Sequence, residues 1–232
     1  YFGGDLLAGI LAADLDQKEE PCIMVDVGTN AEIVLGNKDW LMACAGAAGP
    51  ALESGVSQMG MTAKPGVIDR VHVDPETGDL VIHTIDDEPA VGICGSGMID
   101  LAAALFVSGR IDIRGKLVPE ACGDRLTNED DIPAFDLVAA KDSGTGRPIR
   151  LTQVDLNSLT SAKAAMYTIL EVIVSQTAGL AFSDLARFYV AGTFGSFINP
   201  DAAITIGMLP DIPTDRFQVL GNTSLKGAEQ VL

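Results

Sequence analysis

Residues 22–36, with the sequence CIMVDVGTNAEIVLG, decide the fold of this chain. Two apolar runs of strand length, 22–27 and 31–35, are separated by the turn Gly28-Thr29-Asn30, and a third run over 40–44 follows after a polar turn. Short apolar runs bounded by Gly and Asn are typical of buried strands joined by tight turns. The sequence therefore predicts a three-stranded antiparallel meander.

The last third of the chain alternates between strand and helix patterns. A strand is predicted over 187–191, a helix from about 197, a second strand over 217–220 and a helix from Ser224, and a short helix is predicted near the start, over 6–15. Strand–helix–strand–helix order implies parallel strands with covering helices. The prediction is an α/β fold whose mixed sheet combines an antiparallel meander with parallel strands and is flanked by helices.

The middle of the chain predicts a hairpin. Strands over 68–74 and 79–85 alternate in hydropathy around a four-residue loop, so that in the simplest register they share one buried face. That face carries Val71, Val73, Leu80 and Ile82. His72 and His83 then lie on the outward face, where a two-histidine metal site is conceivable and a solvated strand surface is the simpler interpretation.

Two helices and a loop-rich insertion complete the predicted order of elements. Ser96 is expected to cap a helix over 97–107, and Thr152 with Asp155 has the pattern of a capping box at the start of a long helix. The hairpin and the loops that follow it predict an insertion over about 66–150.

Composition and charge exclude several classes of protein. The 232 residues are 47% apolar and 20% charged, which is typical of a folded globular protein and not of a disordered one. The formal net charge of −17 would repel a nucleic-acid backbone or an anionic membrane surface. No apolar run approaches the roughly 20 residues that span a bilayer. The four cysteines lack any C-x-x-C pair, which predicts free, mostly buried thiols.

The turn after the first strand has the features of a phosphate-binding loop. Gly28 allows the backbone to approach a ligand closely, and the Thr29 hydroxyl and the N–H groups up to Asn30 can donate to phosphate oxygens. Asp26 can hold Mg²⁺ through a water molecule. Backbone dipoles and a metal ion suit an acidic chain that has few cations to neutralise phosphate. The alternative is an ordinary turn between two strands.

Two more glycine turns follow predicted strands. Small residues at such turns leave room for a flat base and a ribose, to which Asn222 or Ser224 could hydrogen-bond. Taken singly, such turns are more often helix caps, and that alternative stays open. The residues expected to form this part of a nucleotide site are Gly192, Thr193, Gly195, Gly221, Asn222 and Ser224.

Six blocks in a fixed order resemble the C-terminal part of reductive activators of corrinoid proteins. The blocks are GGD at 3–5, VDVGTNAEIVLG at 25–36, AGAAGPALESG at 45–55, GICGSGMID at 92–100, VAGTFGSFINPDAAITIGMLPDIP at 190–213 and VLGNTSLKGA at 219–228. Those activators belong to the superfamily of acetate and sugar kinases, heat-shock chaperones and actin. There, ATP and Mg²⁺ lie in a cleft between two ribonuclease-H-like subdomains. The resemblance implies that 22–232 is the second such lobe and that 1–21 connects it to a first lobe without a counterpart here.

The resemblance also implies a function and roles for the site residues. Residues 26–30 would form the second phosphate loop with Asp26 at Mg²⁺, 192–195 the adenosine turn, and 221–224 the last connecting segment. The parent protein would use ATP to return inactive Co(II) corrinoid proteins to Co(I) in the cytoplasm of an anaerobe. Its electron would come from an iron-sulfur cluster in an N-terminal domain. On this interpretation the chain alone binds nucleotide weakly and hydrolyses little of it.

Two other functions stay open at this point. A lobe of this fold could dock a partner or form a homodimer without turnover, with the methionine-bearing stretch 45–66, expected to be a partly helical loop, as its surface. It could also phosphorylate a small molecule. Magnesium-dependent nucleotide binding would separate the activator and the kinase from the docking or dimerisation module. Binding of a corrinoid protein would separate the activator from the kinase.

Overall fold

The computed structural model describes residues 3–28, 30–46, 59–192 and 195–232. The chain divides into two compact units: unit 1 consists of 1–50 and 163–232, and unit 2 consists of 51–162. The expectations for Thr29 and Thr193, and those for 47–58 within the partly helical loop, lie outside the described residues.

Strands and helices alternate along the chain. In the described ranges the strands are β1 (Cys22–Val27), β2 (Ala31–Asn37), β3 (Trp40–Gly46), β4 (Val67–Val73), β5 (Leu80–Thr84), β6 (Gly92–Ile93), β7 (Leu126–Glu129), β8 (Ile132–Val138), β9 (Ile149–Thr152), β10 (Arg187–Ala191) and β11 (Phe217–Gly221). The α-helices of the same ranges are α1 (Gly4–Ala12), α2 (Gly95–Val107), α3 (Pro119–Cys122), α4 (Gln153–Glu171), α5 (Pro200–Thr205) and α6 (Thr223–Val231). A π-helical segment, Val172–Thr177, follows α4.

Unit 1 contains a five-stranded sheet in the order β11-β10-β1-β2-β3. The strands β1, β2 and β3 pair antiparallel, whereas β10 pairs parallel with both β1 and β11. The predicted meander and the predicted parallel strands are therefore confirmed. Parallel pairing places the carboxyl ends of β1, β10 and β11 at one edge of the sheet.

The core of unit 1 covers both faces of β1. On one face, α1 contributes Leu6 to a buried cluster with the side chains of the sheet. Ile23 and Val25 point to the opposite face and are also buried, as expected for a central strand with cover on both sides. The other members of the α1 cluster are Ala13, Leu15, Cys22, Met24, Val34, Tyr189 and Ala191.

Helices α1 and α6 approach each other through a glycine. A Cβ atom added to Gly227 would overlap the backbone of Ala8, including its carbonyl oxygen. The missing side chain lets the two helix backbones touch. This contact fixes the N-terminal helix against the C-terminal one.

Unit 2 contains two three-stranded sheets, in the orders β5-β4-β6 and β7-β8-β9. The β4–β5 hairpin has the predicted register, with Val71 opposite Ile82 and Val73 opposite Leu80. Of these four side chains only Val71 is fully buried, and the other three are half-buried. Helix α2 packs on β4, and its Asp100 carboxylate accepts the Val71 N–H at 3.3 Å.

His72 and His83 lie on the outward face of the β4–β5 hairpin. His83 Nδ1 lies 2.6 Å from an oxygen of Asp69, and His72 is exposed on the same outward face of the hairpin. Within the described ranges, no group of three or more His, Cys, Asp or Glu side chains is arranged to hold a metal ion. His83 is therefore hydrogen-bonded to a carboxylate on a partly exposed strand face.

Helix boundaries differ from the prediction in three places. The first helix runs from Gly4 to Ala12 and not over 6–15, because Asp14 adopts a left-handed conformation with φ 50° that ends it. Ser96 does not cap α2: Cys94 is the N-cap residue, and the Ser96 hydroxyl donates to the Asp69 carbonyl at 3.3 Å.

The helix expected from about 197 begins later. A single 3₁₀ turn covers 195–197, and α5 starts at Pro200 because Asn199 caps it by accepting the Asp201 N–H. By contrast, the capping box at the start of α4 is confirmed: Thr152 N–H donates to Asp155 at 2.8 Å, and Asp155 N–H donates to the Thr152 hydroxyl at 3.1 Å.

No helix in the described part of the chain is long and apolar enough to cross a membrane. All four cysteines are free, and three of them are buried while Cys44 is half-buried.

Candidate functional site

The three predicted glycine turns meet at one edge of the unit 1 sheet. The register places Asp26 of β1 opposite Ala191 of β10, and Ala191 opposite Gly221 of β11. The Gly192 N–H donates to the Gly221 carbonyl at 3.0 Å, which ties the second turn to the third. The structure therefore brings together the residues that follow all three parallel strands.

The contact between the first two turns requires a glycine at position 192. Gly192 has φ +87°, and a Cβ atom there would lie 2.6 Å from Asp26 Oδ1 and 2.5 Å from the Val27 carbonyl oxygen. Both distances are shorter than real Cβ contacts. The Ser196 hydroxyl donates to the Gly192 carbonyl at 2.9 Å and fixes the turn from the other side. The backbone at Gly192 is thus held directly against the Asp26 carboxylate.

Two more carboxylates lie around Asp26. Glu32 is its direct partner across β1 and β2, and Asp5 lies in the first turn of α1. Burial raises the pKa of Asp26, and the Asp5 carboxylate raises it further. Burial also raises the pKa of Glu32, followed by the charges of Asp26 and Asp5. In the described ranges none of the three forms an ion pair with a lysine or arginine, so the edge carries uncompensated negative charge.

Thr223, the first residue of α6, faces this cluster. Its side chain is 1% exposed, and its hydroxyl has no partner with hydrogen-bond geometry among the described residues. The hydroxyl is nevertheless near enough to lower the pKa of Asp26, against the larger effect of burial. An unsatisfied buried hydroxyl beside a carboxylate is unusual in a folded core.

Asn222 and Ser224 lie at the start of α6, directly after the third turn. The Asn222 side-chain oxygen accepts the Leu225 N–H at 3.0 Å, so Asn222 is the N-cap of α6 and only its amide nitrogen remains for a ligand. Ser224 is half-buried. Lys226 places its ammonium group near the same turn, where it donates to the Leu220 carbonyl at 2.6 Å.

The remaining predicted residues shape the turns. The Gly28 N–H donates to the Asn30 carbonyl at 2.9 Å, which closes the turn after β1. A Cβ atom at Gly195 would lie 2.8 Å from Val190 Cγ1, so this glycine allows the turn after β10 to pack on its own strand. Thr29 and Thr193 lie outside the described residues.

Sequence patterns alone missed Asp5, Glu32, Thr223 and Lys226. Glu32 had a usable signal, because in a two-strand hairpin with a three-residue turn it lies opposite Asp26. Asp5 and Thr223 had none, since their approach to Asp26 depends on how α1 and α6 pack on the sheet.

Comparison with known proteins places this geometry in a family. Residues 20–232 match the family model described as the C-terminal domain of RACo, the ASKHA domain. Over its full length the chain is 34% identical to the corrinoid activation enzyme RamQ of Eubacterium limosum. It is 28% identical over 99% of its length to the Co(II) methylated amine-specific corrinoid protein reductase of Methanosarcina barkeri.

A solved structure agrees with the sequence relatives. The whole chain superimposes on a reductive activator for corrinoid, iron-sulfur protein with a TM-score of 0.91 and 40% identity. The chain spans 40% and 42% of the two curated relatives and 37% of that solved chain. The resemblance seen in the sequence and the α/β, actin-like fold class are both confirmed, and the chain belongs to the family of C-terminal ASKHA domains of RACo.

Proposed function

We propose that this chain is the nucleotide-binding part of a reductive activator, which uses ATP to return Co(II) corrinoid proteins to Co(I) in the cytoplasm. The observation that carries the proposal is the contact of Gly192 with Asp26, at the edge where three parallel strands end. Ligands of open α/β sheets bind outside the carboxyl ends of the strands, and glycine turns let backbone N–H groups approach phosphate there. The relatives carry names of corrinoid activators, which supports the choice of partner.

Magnesium fits the residues at this edge. Asp26, Asp5 and Glu32 supply negative charge without a paired cation in the described ranges, and a bound divalent ion would relieve their mutual repulsion. No three of these groups are close enough to ligate a metal ion directly. Mg²⁺ usually keeps several water molecules and uses one or two carboxylates together with substrate phosphates. We therefore assign Asp26 as the residue that holds Mg²⁺ through water.

Two helices begin at the same edge, and their N-termini favour binding of the phosphate groups of ATP there. The N-termini of α1 and α6 carry Asp5, whose charge raises the pKa of Asp26, and Thr223, whose hydroxyl lowers it. Helix N-termini present unpaired N–H groups and a partial positive charge. With the turn at Gly28 and Asn30 they would bind phosphate oxygens. We assign Thr29 to the same loop, and Gly192, Thr193, Gly195, Gly221, Asn222 and Ser224 to the base and ribose.

ATP would supply the free energy for an uphill one-electron reduction, while the residues described here bind and orient it. A lobe that binds nucleotide through differential contacts can shift a conformational equilibrium and so change how the activator engages its partner. We propose that the electron comes from an iron-sulfur cluster in another domain of the parent protein.

The test is a titration of the chain with ATP in the presence and absence of Mg²⁺. We expect weak binding that Mg²⁺ strengthens, with little steady-state hydrolysis. Asp26→Asn should remove the magnesium-dependent part, because the amide cannot offset the charge of the ion. Asp39→Asn, an exposed carboxylate in the turn between β2 and β3, is the matched control and should bind like the wild type.

Two results would contradict the proposal. If Asp26→Asn still binds ATP in a magnesium-dependent way, Asp26 is not the residue that holds Mg²⁺. Absence of any ATP binding would favour a non-catalytic partner-binding or dimerisation module. Transfer of phosphate to a small molecule would favour the kinase alternative.

A further inference from the structure

A polar cleft of about 510 Å³ lies at the end of the unit 1 sheet opposite to Asp26. Its lining includes Cys22 and Arg187, the first residues of β1 and β10, which are partners in the register. Cys22 and Asp26 are four residues apart on β1, which corresponds to roughly 13 Å at the usual rise per residue. The cleft is therefore separate from the proposed nucleotide edge.

Three cations line this cleft: Lys18, Arg187 and Arg216. Across the ranges that the structure describes, none of them forms an ion pair with a carboxylate. The chain has 32 acidic and 15 basic residues, so a cation has many possible acidic partners. In a chain with about twice as many acidic as basic residues, three cations without a carboxylate partner in one cavity are unexpected.

The other lysines of unit 1 are engaged elsewhere. Lys38 pairs with Glu19 at 2.7 Å. Lys163 and Lys226 donate to backbone carbonyl groups at 2.5 Å and 2.6 Å. Of the described cations of unit 1, Lys18, Arg187 and Arg216 are thus the ones that lie around the cleft.

The lining is held in place before any ligand binds. One nitrogen of Arg216 donates to the carbonyls of Ser183 and Leu185 at 2.7 Å and 2.9 Å, which fixes the guanidinium. Its remaining N–H groups have no hydrogen-bond partner among the described residues. Tyr189 is 5% exposed, and Lys18 lies near enough to its hydroxyl to lower the pKa of that group, against the larger effect of burial.

Acidic side chains in the lining are mostly engaged. Glu19 is neutralised by Lys38, and Asp184 accepts the Ala181 N–H at 2.8 Å. Glu20 is exposed at the rim of the cleft. With Glu19 paired to Lys38, the lining presents three cations and two carboxylates, Glu20 and Asp184, that form no ion pair among the described residues.

We propose that this cleft is a second ligand site, which binds a small oxyanion through Lys18, Arg187, Arg216 and the Tyr189 hydroxyl. A guanidinium presents a planar fork of N–H donors that matches phosphate or carboxylate oxygens. The volume lies in the range of small-molecule sites. Phosphate and carboxylate head groups share the chemistry that the cleft recognises, and the site is independent of the proposed nucleotide function.

The test is calorimetric titration of the 232-residue chain with inorganic phosphate and, separately, with succinate, in buffer free of Mg²⁺ and nucleotide. We expect saturable binding of at least one of them below about 10 mM. Arg187→Gln and Lys18→Gln should each weaken it about tenfold or more, since each removes a charge-assisted hydrogen bond. Glu20→Gln should strengthen it, because it removes a negative charge at the rim.

Lys141→Gln in unit 2 is the matched control, since it makes the same change of charge at an exposed lysine away from the cleft. Unfolding curves should show that Arg187→Gln and Lys18→Gln fold like the wild type, because Arg187 is exposed and Lys18 forms no ion pair with any residue that the structure describes. Binding of phosphate alone or of succinate alone supports the proposal and identifies the head group. No saturable binding of either, unchanged binding in both cleft variants, or equal weakening in Lys141→Gln overturns it. If phosphate bound only at the nucleotide edge, its binding would be unchanged in both cleft variants, and the proposal would be overturned.

Discussion

Replacement of Gly192 by alanine tests whether the contact between the first two turns holds the site together. The residue has φ +87°, where a side chain costs about 1–2 kcal/mol. The new methyl group would also meet Val27 O and Asp26 Oδ1 at 2.5 Å and 2.6 Å, and overpacking of this kind costs about 1–3 kcal/mol. We expect Gly192→Ala to lower the free energy of unfolding of unit 1 by about 2–5 kcal/mol.

A matched control separates backbone strain from the clash. Gly179 is also in unit 1 and has φ +69°, but a Cβ atom there meets nothing within 4 Å. Gly179→Ala should therefore cost only about 1–2 kcal/mol.

The assay is urea unfolding followed by fluorescence of Trp40, the single tryptophan of the chain, which lies in β3 of unit 1. The linear dependence of the free energy on urea concentration gives the values to be compared. If Gly192→Ala and Gly179→Ala are destabilised equally, the close approach of the turn to Asp26 does not exist in solution.

Two further substitutions test the acidic edge and the helix contact. Glu32→Gln should stabilise the chain at pH 7 by about 0.2–1 kcal/mol, because it removes a like charge directly opposite Asp26. Since the pKa of Glu32 is raised in the folded state, its charge destabilises at high pH. The gain over wild type should therefore shrink as the pH falls through the raised pKa of the folded state and be lost below the ordinary pKa value of 4.5. Thermal unfolding that shows the same gain at pH 7 and pH 4 would contradict this. Gly227→Ala should destabilise by about 1–3 kcal/mol, because its methyl group would overlap the Ala8 backbone. Gly4→Ala, where a Cβ meets nothing within 4 Å, should leave the unfolding midpoint unchanged or raise it, and an equal loss in both variants would argue against the α1–α6 contact.

Local patterns of apolar and turn-forming residues were sufficient to predict the strands of the unit 1 sheet and most of the helices. The apolar runs that became β1, β10 and β11 predicted strands whose carboxyl ends carry glycine turns, and parallel pairing placed those turns together. These features could be predicted because strand periodicity and turn chemistry act over a few residues. Helix starts were less predictable: Ser96 has a side chain that can cap a helix, but its hydroxyl donates to the Asp69 carbonyl and Cys94 is the N-cap residue.

The sequence by itself determined the order of elements, the excess of negative charge and the position of Asp26 at a strand end before a glycine. Only the tertiary structure brought Asp5 and Thr223 to Asp26 and gathered Lys18, Arg187 and Arg216 around one cleft. These residues are far apart along the chain, and their approach depends on the pairing of β1 with β10 and on the packing of α1 and α6. Such long-range contacts are set by burial and register across the whole unit, and no short window of sequence contains that information.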